Sequence, residues 1–493
     1  MVYEDFIWWD VRGQYTSPVA SAIVYKEGDY AVAKVWNEQW GRWSRIAKST
    51  DHASVIQSAI NTINAQGGGI IFLRKGTYTL STRIQLKSNI IIIGEGFQTK
   101  LVASDYLGSY GMFSNLDFAI ENVKISNLYI DGGGHSGQIG VTAFGGSDVT
   151  KKNILIHNVK FTNLNNAIYF VYASNFKIEL CDFENCTQAV RILGGTDFVI
   201  SRNYIHDCSN NHLTGAIYLT TNCQRGIIEN NILENLDRPE DMTNGILISE
   251  PSAEACKYIV VKGNILNNIG ANSTDVSAIS VANGQRCLVI GNTIINIPHA
   301  GIDTGTDGEH IIIANNLLYN CGYVSAMWVR SGSLVIGNVF IDCGHGYSES
   351  CAIKIANSSH AIVMGNRIYD TRTGAERLAY GIRESGDSDY NTIVHNDIEN
   401  VQTQAIEVLG ANTIVKYNKG YPTENSGTAT IAAGNTSVTV NHGLASTPSK
   451  VLVTPLGDPG DRYYVTNITG TSFDIVIATA PSSDVPFAWY AEV

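Results

Sequence analysis

Charge is scarce in this chain. Only 16% of its 493 residues are Asp, Glu, Lys or Arg, and the acids outnumber the bases 45 to 33. The resulting net charge of −12 excludes a surface built for nucleic acid and disfavours polyanionic ligands unless cations gather locally. Apolar runs of 18 residues are missing too, so no transmembrane helix and no membrane partner are expected. The opening MVYEDFIWWD has neither the basic region nor the apolar run of a secretion signal. Either export takes another route or a signal has been removed. Nine cysteines leave at least one unpaired, and no CxxC pair or zinc spacing occurs among them. Cys186 with Cys208, and Cys321 with Cys343, share repeat positions and read as buried thiols, because Cys packs as a small apolar residue. Low charge with 47 glycines describes an ordered, β-rich protein rather than a disordered one.

Helical periodicity is almost absent. Asp51 is placed to cap the one helix, over 51–66, where Val55, Ile56, Ala59, Ile60 and Ile63 share a face and Gly67–Gly69 stops it. Before it, residues 1–50 hold five of the seven tryptophans, Trp8, Trp9, Trp36, Trp40 and Trp43, in a segment that reads as a small β-meander.

From about 122 to 418 the chain repeats itself every 22 to 33 residues, the signature of a solenoid of about 11 to 12 turns. One register is a column of Asn: Asn203, Asn231, Asn264, Asn292, Asn316, Asn338, Asn366, Asn396 and Asn418. Cys181 takes that place in one turn, and Asn127 and Asn158 open the series one residue out of step. Four residues on lies a second polar column, from Asn185 and Asp207 to Asp370 and Asn400. Stacked amides bonding along the axis explain both columns structurally.

The other register is a short phrase: AGIDTG, SAMWVR, CAIKIA, YGIRES, QAIEVL. Its leading aliphatics run from Val141 through Ile302, Met327, Ile353 and Ile382 to Ile406, and must face inward. A second inward column follows two residues later, with Thr304 and Glu384 as its polar exceptions; Glu384 reads as a bulge or a buried functional acid. The residues between point out. They read Thr142, Tyr169, Arg191, Tyr218, Leu247, Ser280, Asp303, Trp328, Lys354, Arg383, Glu407. After 420 the columns stop, and alternating strands over 427–493 predict a separate β-sandwich capping the open end.

The Gly-rich turn, GTYTL, IQLKSNIIIIGEG and the Asn-bearing turns over residues 50–420 resemble the right-handed parallel β-helix proteins of the pectate-lyase-like superfamily. The tail resembles, more loosely, the C-terminal modules of phage and viral tailspikes. The resemblance implies an all-β fold with β-helix 51–420 and an extracellular or virion-associated setting. It also implies a polysaccharide partner in a groove along one sheet, and a homotrimer through the C-terminal domain. The polygalacturonase pattern is incomplete. Gly344-His345-Gly346 and the Lys354 strand match, but the paired Asp is missing and Asn272-Ser273-Thr274-Asp275 substitutes poorly. Clustered Asp ligands for calcium are not evident, so no cofactor is certain and Ca2+ stays open.

Lys354 and Arg383 on adjacent turns stand about 5 Å apart and repel, which lowers each other's pKa. In superfamily lyases a Lys or Arg takes the proton α to a uronate carboxylate while a second cation neutralises the enolate. Lys354 as base, Arg383 as clamp and His299 as proton shuttle fit that scheme. Trp328, beside Asp303 and Lys354, suits a sugar platform. Arg330, Tyr169, Arg191, Tyr218 and Glu407 are further substrate contacts. The hydrolase alternative needs two carboxylates about 5 to 9.5 Å apart. Asp303 and Glu407, roughly 19 Å apart at this strand spacing, cannot be that pair. Asp303 with Asp307, Asp275 or Glu349 can. A lyase on a uronate-containing glycan leads, a glycoside hydrolase follows, and a non-catalytic glycan-binding spike or adhesin is the third reading.

Overall fold

The computed structural model describes residues 20–37, 40–208, 214–236, 243–249, 254–270, 276–330, 332–344 and 348–493. Trp8, Trp9, His345, Gly346 and the Asn272–Asp275 segment lie outside them. The chain forms two compact units, residues 1–276 and 277–493.

In the first unit, strands Ala22–Glu27, Tyr30–Asn37 and Arg42–Ser49 form the expected antiparallel meander, and the first also pairs in parallel with Gly69–Leu73. Trp36 and Trp43 meet edge to face, with centroids 5.6 Å apart, while Trp40 is exposed. The helix spans His52–Ala65, and the Asp51 carboxylate accepts from the Ser54 amide at 3.3 Å. All five residues of its apolar face are buried. Parallel strands follow in turns. One sheet of this unit takes Ile84–Gln85, Phe113–Ser114, Ile139–Ala143, Asn166–Val171, Gln188–Leu193, Thr214–Thr220 and Thr243–Ile248. The first two have only two residues each, too short to carry the repeat phrase, so periodicity missed them.

The second unit continues the pattern with Ser277–Ser280, Ala300–Asp303, Ser325–Val329, Cys351–Ala356, Tyr380–Ser385 and Gln404–Glu407. Its last part, from Glu424, holds two three-stranded antiparallel sheets around Ile431, Phe473, Ile475, Phe487 and Trp489, the expected sandwich. All nine cysteines are buried thiols. No helix among the described residues is long and apolar enough to cross a membrane.

The inward columns hold without a slip. All eleven leading aliphatics are at most 1% exposed, as an exchange of faces would drive every one of them into water. Thr304 and Glu384 are fully buried as well. Glu384 is no bulge and no orphan: it accepts from Asn391, Thr413 and the amides of Leu409 and Gly410 at 2.7–2.9 Å. Four donors satisfy it as a tie of the last turn.

The two polar columns separate by backbone conformation. Residues of the first form a buried ladder in which one Asn oxygen takes both the amide N–H and the side-chain N–H of the Asn one turn before. In the run Asn292, Asn316, Asn338, Asn366, Asn396 and Asn418 these bonds are 2.9–3.0 Å. Asn203 to Asn264 do the same in the first unit, and the Cys181 amide donates to Asn203. The second column turns corners. Asn185, Asp207, Asn235, Asn268, Asn296, Asn320, Asp342 and Asn400 have φ of 51–59°, the left-handed region that Asn and Asp tolerate best. Asp370 is the exception and instead binds Arg372 and the Leu378 amide. Asn127 and Asn158 do not open the ladder. Their φ values of 54° and 51° place them at another left-handed corner, bonded to each other at 2.7 Å.

Replacing Asn338 by Ala removes the acceptor of two Asn316 donors; the side-chain nitrogen keeps the Val289 carbonyl, but the backbone N–H is left buried without a partner. The expected loss is about 3 kcal/mol in urea unfolding, against under 1 kcal/mol for an exposed corner such as Asn320→Gly.

Candidate functional site

Register puts Asp303, Trp328, Lys354, Arg383 and Glu407 of the second unit directly opposite one another on successive strands. All five are partly exposed. Ser280, one strand earlier in that unit, is 7% exposed and closes the file at that end.

Within this file the charges are engaged. The Lys354 ammonium lies 4.3 Å from the Trp328 ring centroid, and the Arg330 guanidinium 5.7 Å from it. Trp328 is therefore not a bare platform, for its ring is shared with cations. Its Nε1–H is shielded from solvent and makes no hydrogen bond. Arg330 donates to the carbonyls of Gly305 and Ala356 at 3.0 and 2.8 Å, stapling the turns on either side of its own strand. Gly305 must be glycine: its φ is +63° and a Cβ would fall 2.2 Å from Ala282 Cα.

Arg383 stands between two carboxylates. It ion-pairs with Glu407 on the next strand and with Glu349, 3.1 Å away, and it lies over the Tyr380 ring. Burial works against its charge, but the two acids outweigh burial and raise its pKa. They also offset the repulsion of Lys354 that adjacency alone implies. Glu349 is 60% exposed and Glu407 27%, so Glu349 is the partner that a ligand carboxylate can displace.

Asp303 is the file's perturbed acid. Burial pushes its carboxyl above the usual range, and the Gly305 amide, Arg330 and His299 pull it only part of the way back. The Gly305 N–H donates to it at 2.8 Å. Cys351, at the foot of the Lys354 strand, has its thiol pushed up to about 11 by burial, which removes it as a nucleophile.

The proposed distal contacts belong to the first unit. Arg191 is held between two rings, 4.9 Å from the Tyr169 centroid and 5.6 Å from that of Tyr218. Tyr169 meets Phe144 edge to face, and Phe144 meets Tyr110 in the same way. Tyr218 is only 3% exposed, Leu247 5% and Thr142 0%, its Oγ1 donating to the Tyr110 carbonyl. Those positions point out of the sheet but not into solvent. The open groove expected at Tyr218 is not there. Glu349, Tyr380 and the unpaired indole N–H are what sequence reading underrated. Loop residues carry no register, and cation–ring pairing needs coordinates.

A family model described as the right-handed β-helix region matches residues 140–318 and 277–443, together more than half of the chain. The chain belongs to the right-handed β-helix family. A model described as rhamnogalacturonase A/epimerase, pectate lyase-like, matches residues 46–116 of this β-helix protein. It is 27% identical over 294 residues to the pre-neck appendage protein of Bacillus phage B103, covering 55% of this chain and 31% of that relative. The chain thus spans under a third of that relative's length. Among solved structures, the tailspike of Pseudomonas phage phi297 aligns over 89% of this chain and 92% of its own, with TM-score 0.61 and 10% identity. The A-module of the Azotobacter vinelandii mannuronan C-5 epimerase AlgE4 aligns over 74% and 95%, with TM-score 0.52 and 16% identity. A DFA-IIIase variant from Arthrobacter chlorophenolicus aligns over 70% and 91%, with TM-score 0.50 and 15% identity. At such identities the likeness is one of fold.

The raised Asp303 pKa has a stability consequence. A carboxyl whose folded pKa exceeds its unfolded value costs the fold stability as pH rises between the two, and the full penalty stands above both. Asp303→Asn keeps the acceptor for Gly305 and removes the charge. Its melting temperature should therefore exceed that of the natural β-helix at pH 7 and match it near pH 3, as read by calorimetry.

Proposed function

We propose that this β-helix protein is a virion-associated, polysaccharide-active spike whose second unit holds a glycan along the file from Asp303 to Glu407. One observation carries the reading. On adjacent strands, an acid with a raised pKa, an indole and two cations share one partly exposed face. Supporting it are the phage appendage relative and the folds shared with a tailspike and with carbohydrate-active enzymes.

The roles follow from chemistry. Asp303, protonated further up the pH scale than an ordinary carboxyl, donates a proton to the leaving glycosidic oxygen. Trp328 offers the partly exposed part of its ring to a sugar. Lys354 and Arg383 receive an acidic group of the sugar, with Glu349 giving way. In a hydrolase, Asp307 supplies the second carboxylate. A second reading, β-elimination on a uronate, is favoured by the adjacency of Lys354 and Arg383. It requires Lys354 to act as a free base, against the pull of the Trp328 ring.

Hydrolysis through Asp303 falls as pH rises through its raised pKa. Incubation with a polysaccharide panel decides: reducing ends alone mean hydrolysis, reducing ends with absorbance at 235 nm mean elimination, and neither leaves a binding spike. Asp303→Asn and Lys354→Met should each lower kcat/KM at least about 100-fold, a loss of about 3 kcal/mol of transition-state stabilisation. Full activity in both would remove this site. Glu349→Ala should lower KM for acidic glycans a few-fold without that loss.

A further inference from the structure

Away from the file, one pair of side chains in the first unit has a proton count that allows a single reading. Lys26 lies on the strand Ala22–Glu27, and His52 opens the helix. The His52 ring is 6% exposed and stands edge to face with Tyr78, centroids 6.1 Å apart. Its Nδ1 lies 2.8 Å from the Thr79 amide, which can only donate. Nδ1 therefore carries no proton, and the hydrogen bonds assign the ring's one N–H to Nε2. That N–H meets the Asp29 carbonyl at 2.9 Å and the Lys26 Nζ at 2.7 Å.

An ammonium at that distance has no lone pair for the Nε2–H and sets donor against donor. A neutral amine supplies the lone pair and still donates to the Asp29 carbonyl at 3.2 Å. Burial acts in the same direction and lowers the Lys26 pKa, with the Asp29 carboxylate pulling it part of the way back. Glu27, the neighbouring acid, is committed to Lys48 at 2.7 Å and to the Tyr25 hydroxyl at 3.0 Å. Gly76 lets the lysine stem lie close, for a Cβ there would fall 2.9 Å from Lys26 Cγ. Lys26 nevertheless stays partly exposed. Lys151 is also lowered by burial, but at 1% exposure it is out of reach. Lys419, by contrast, is raised by its partners Glu399 and Asp397.

We propose that Lys26 is a covalent modification site, an unprotonated amine placed by His52 to condense with an aldehyde. The Nε2–H can turn wholly to the Asp29 carbonyl, which frees the Nζ lone pair and leaves no donor unpaired. That lone pair attacks the aldehyde carbon and forms the C–N bond. Both amine protons then leave with the aldehyde oxygen as water, and no electron is transferred. The imine nitrogen keeps a lone pair, to which the Nε2–H returns. An ordinary surface lysine offers neither the free base nor a fixed donor for the product. The site is independent of the glycan file and of the reading placed on it.

The natural full chain is treated with glyceraldehyde or with a reducing trisaccharide, each with cyanoborohydride to trap the imine, and adducts are read by peptide mass spectrometry. At pH 7 Lys26 should be labelled at least about tenfold faster than Lys419 and Lys450, whose side chains are 64% and 52% exposed. Each unit by which an amine's pKa falls gives about tenfold more free base below it. Between pH 9 and pH 7 the Lys26 rate should fall less steeply than theirs. His52→Leu removes the N–H that only a neutral amine satisfies, and Lys26 labelling at pH 7 should drop toward that of Lys419. Because this variant also orphans the Thr79 amide, the Lys26 Cε carbon-13 shift is followed against pH in the natural protein. It should titrate below the shifts of Lys419 and Lys450. Label from glyceraldehyde alone supports a small aldehyde as the ligand, and label from both supports sugar ends as well. Label from neither overturns the proposal, as does Lys26 labelling no faster than Lys419, a parallel pH profile, or a Cε titration coincident with the exposed lysines. Lys26→Arg should abolish the fast adduct and leave glycan activity unchanged, so the two sites are tested apart.

Discussion

Everything here depends on register. A parallel solenoid has one way to keep its inward aliphatics dry, and a slip of one residue in any turn would expose a whole column. The Asn ladder enforces that register from inside. Each rung fixes the backbone N–H of one turn to the amide oxygen of the next, so neighbouring turns cannot slide without leaving several polar groups buried and unpaired. Left-handed corners fix the length of each side in the same way, because only Asn, Asp and Gly turn there cheaply.

That rigidity explains why chemistry can be written on the outside. Once the inward residues are committed, the outward ones are free to vary, and each falls about 4.8 Å from its neighbour on the next strand. The second unit uses one such face for acid, indole and cations.

Much of this was legible in the residues. The helix and its Asp51 cap, the inward columns, the opposed order of Asp303 to Glu407 and the buried thiols follow from periodicity, which reports geometry directly. Two kinds of information were missing. Outward does not mean exposed: Thr142, Tyr218 and Leu247 point away from the core yet are buried, and no repeat encodes burial on that side. Nor does adjacency decide electrostatics. The Lys354–Arg383 pair looked like two repelling cations until Glu407 and Glu349 took the guanidinium and Trp328 took the ammonium.

This last point changes how the file should be read chemically. A cation pair whose members already have partners is suited to binding an anion, in which case the proton comes from elsewhere. Among the file's residues the group that burial has shifted toward proton donation is Asp303, two strands from Lys354. Ligand charge and proton donor are thereby separated by the width of Trp328, about two strand spacings or 10 Å. That is the span of roughly two sugar residues, so the acidic sugar held by the cations need not be the one whose bond is cut.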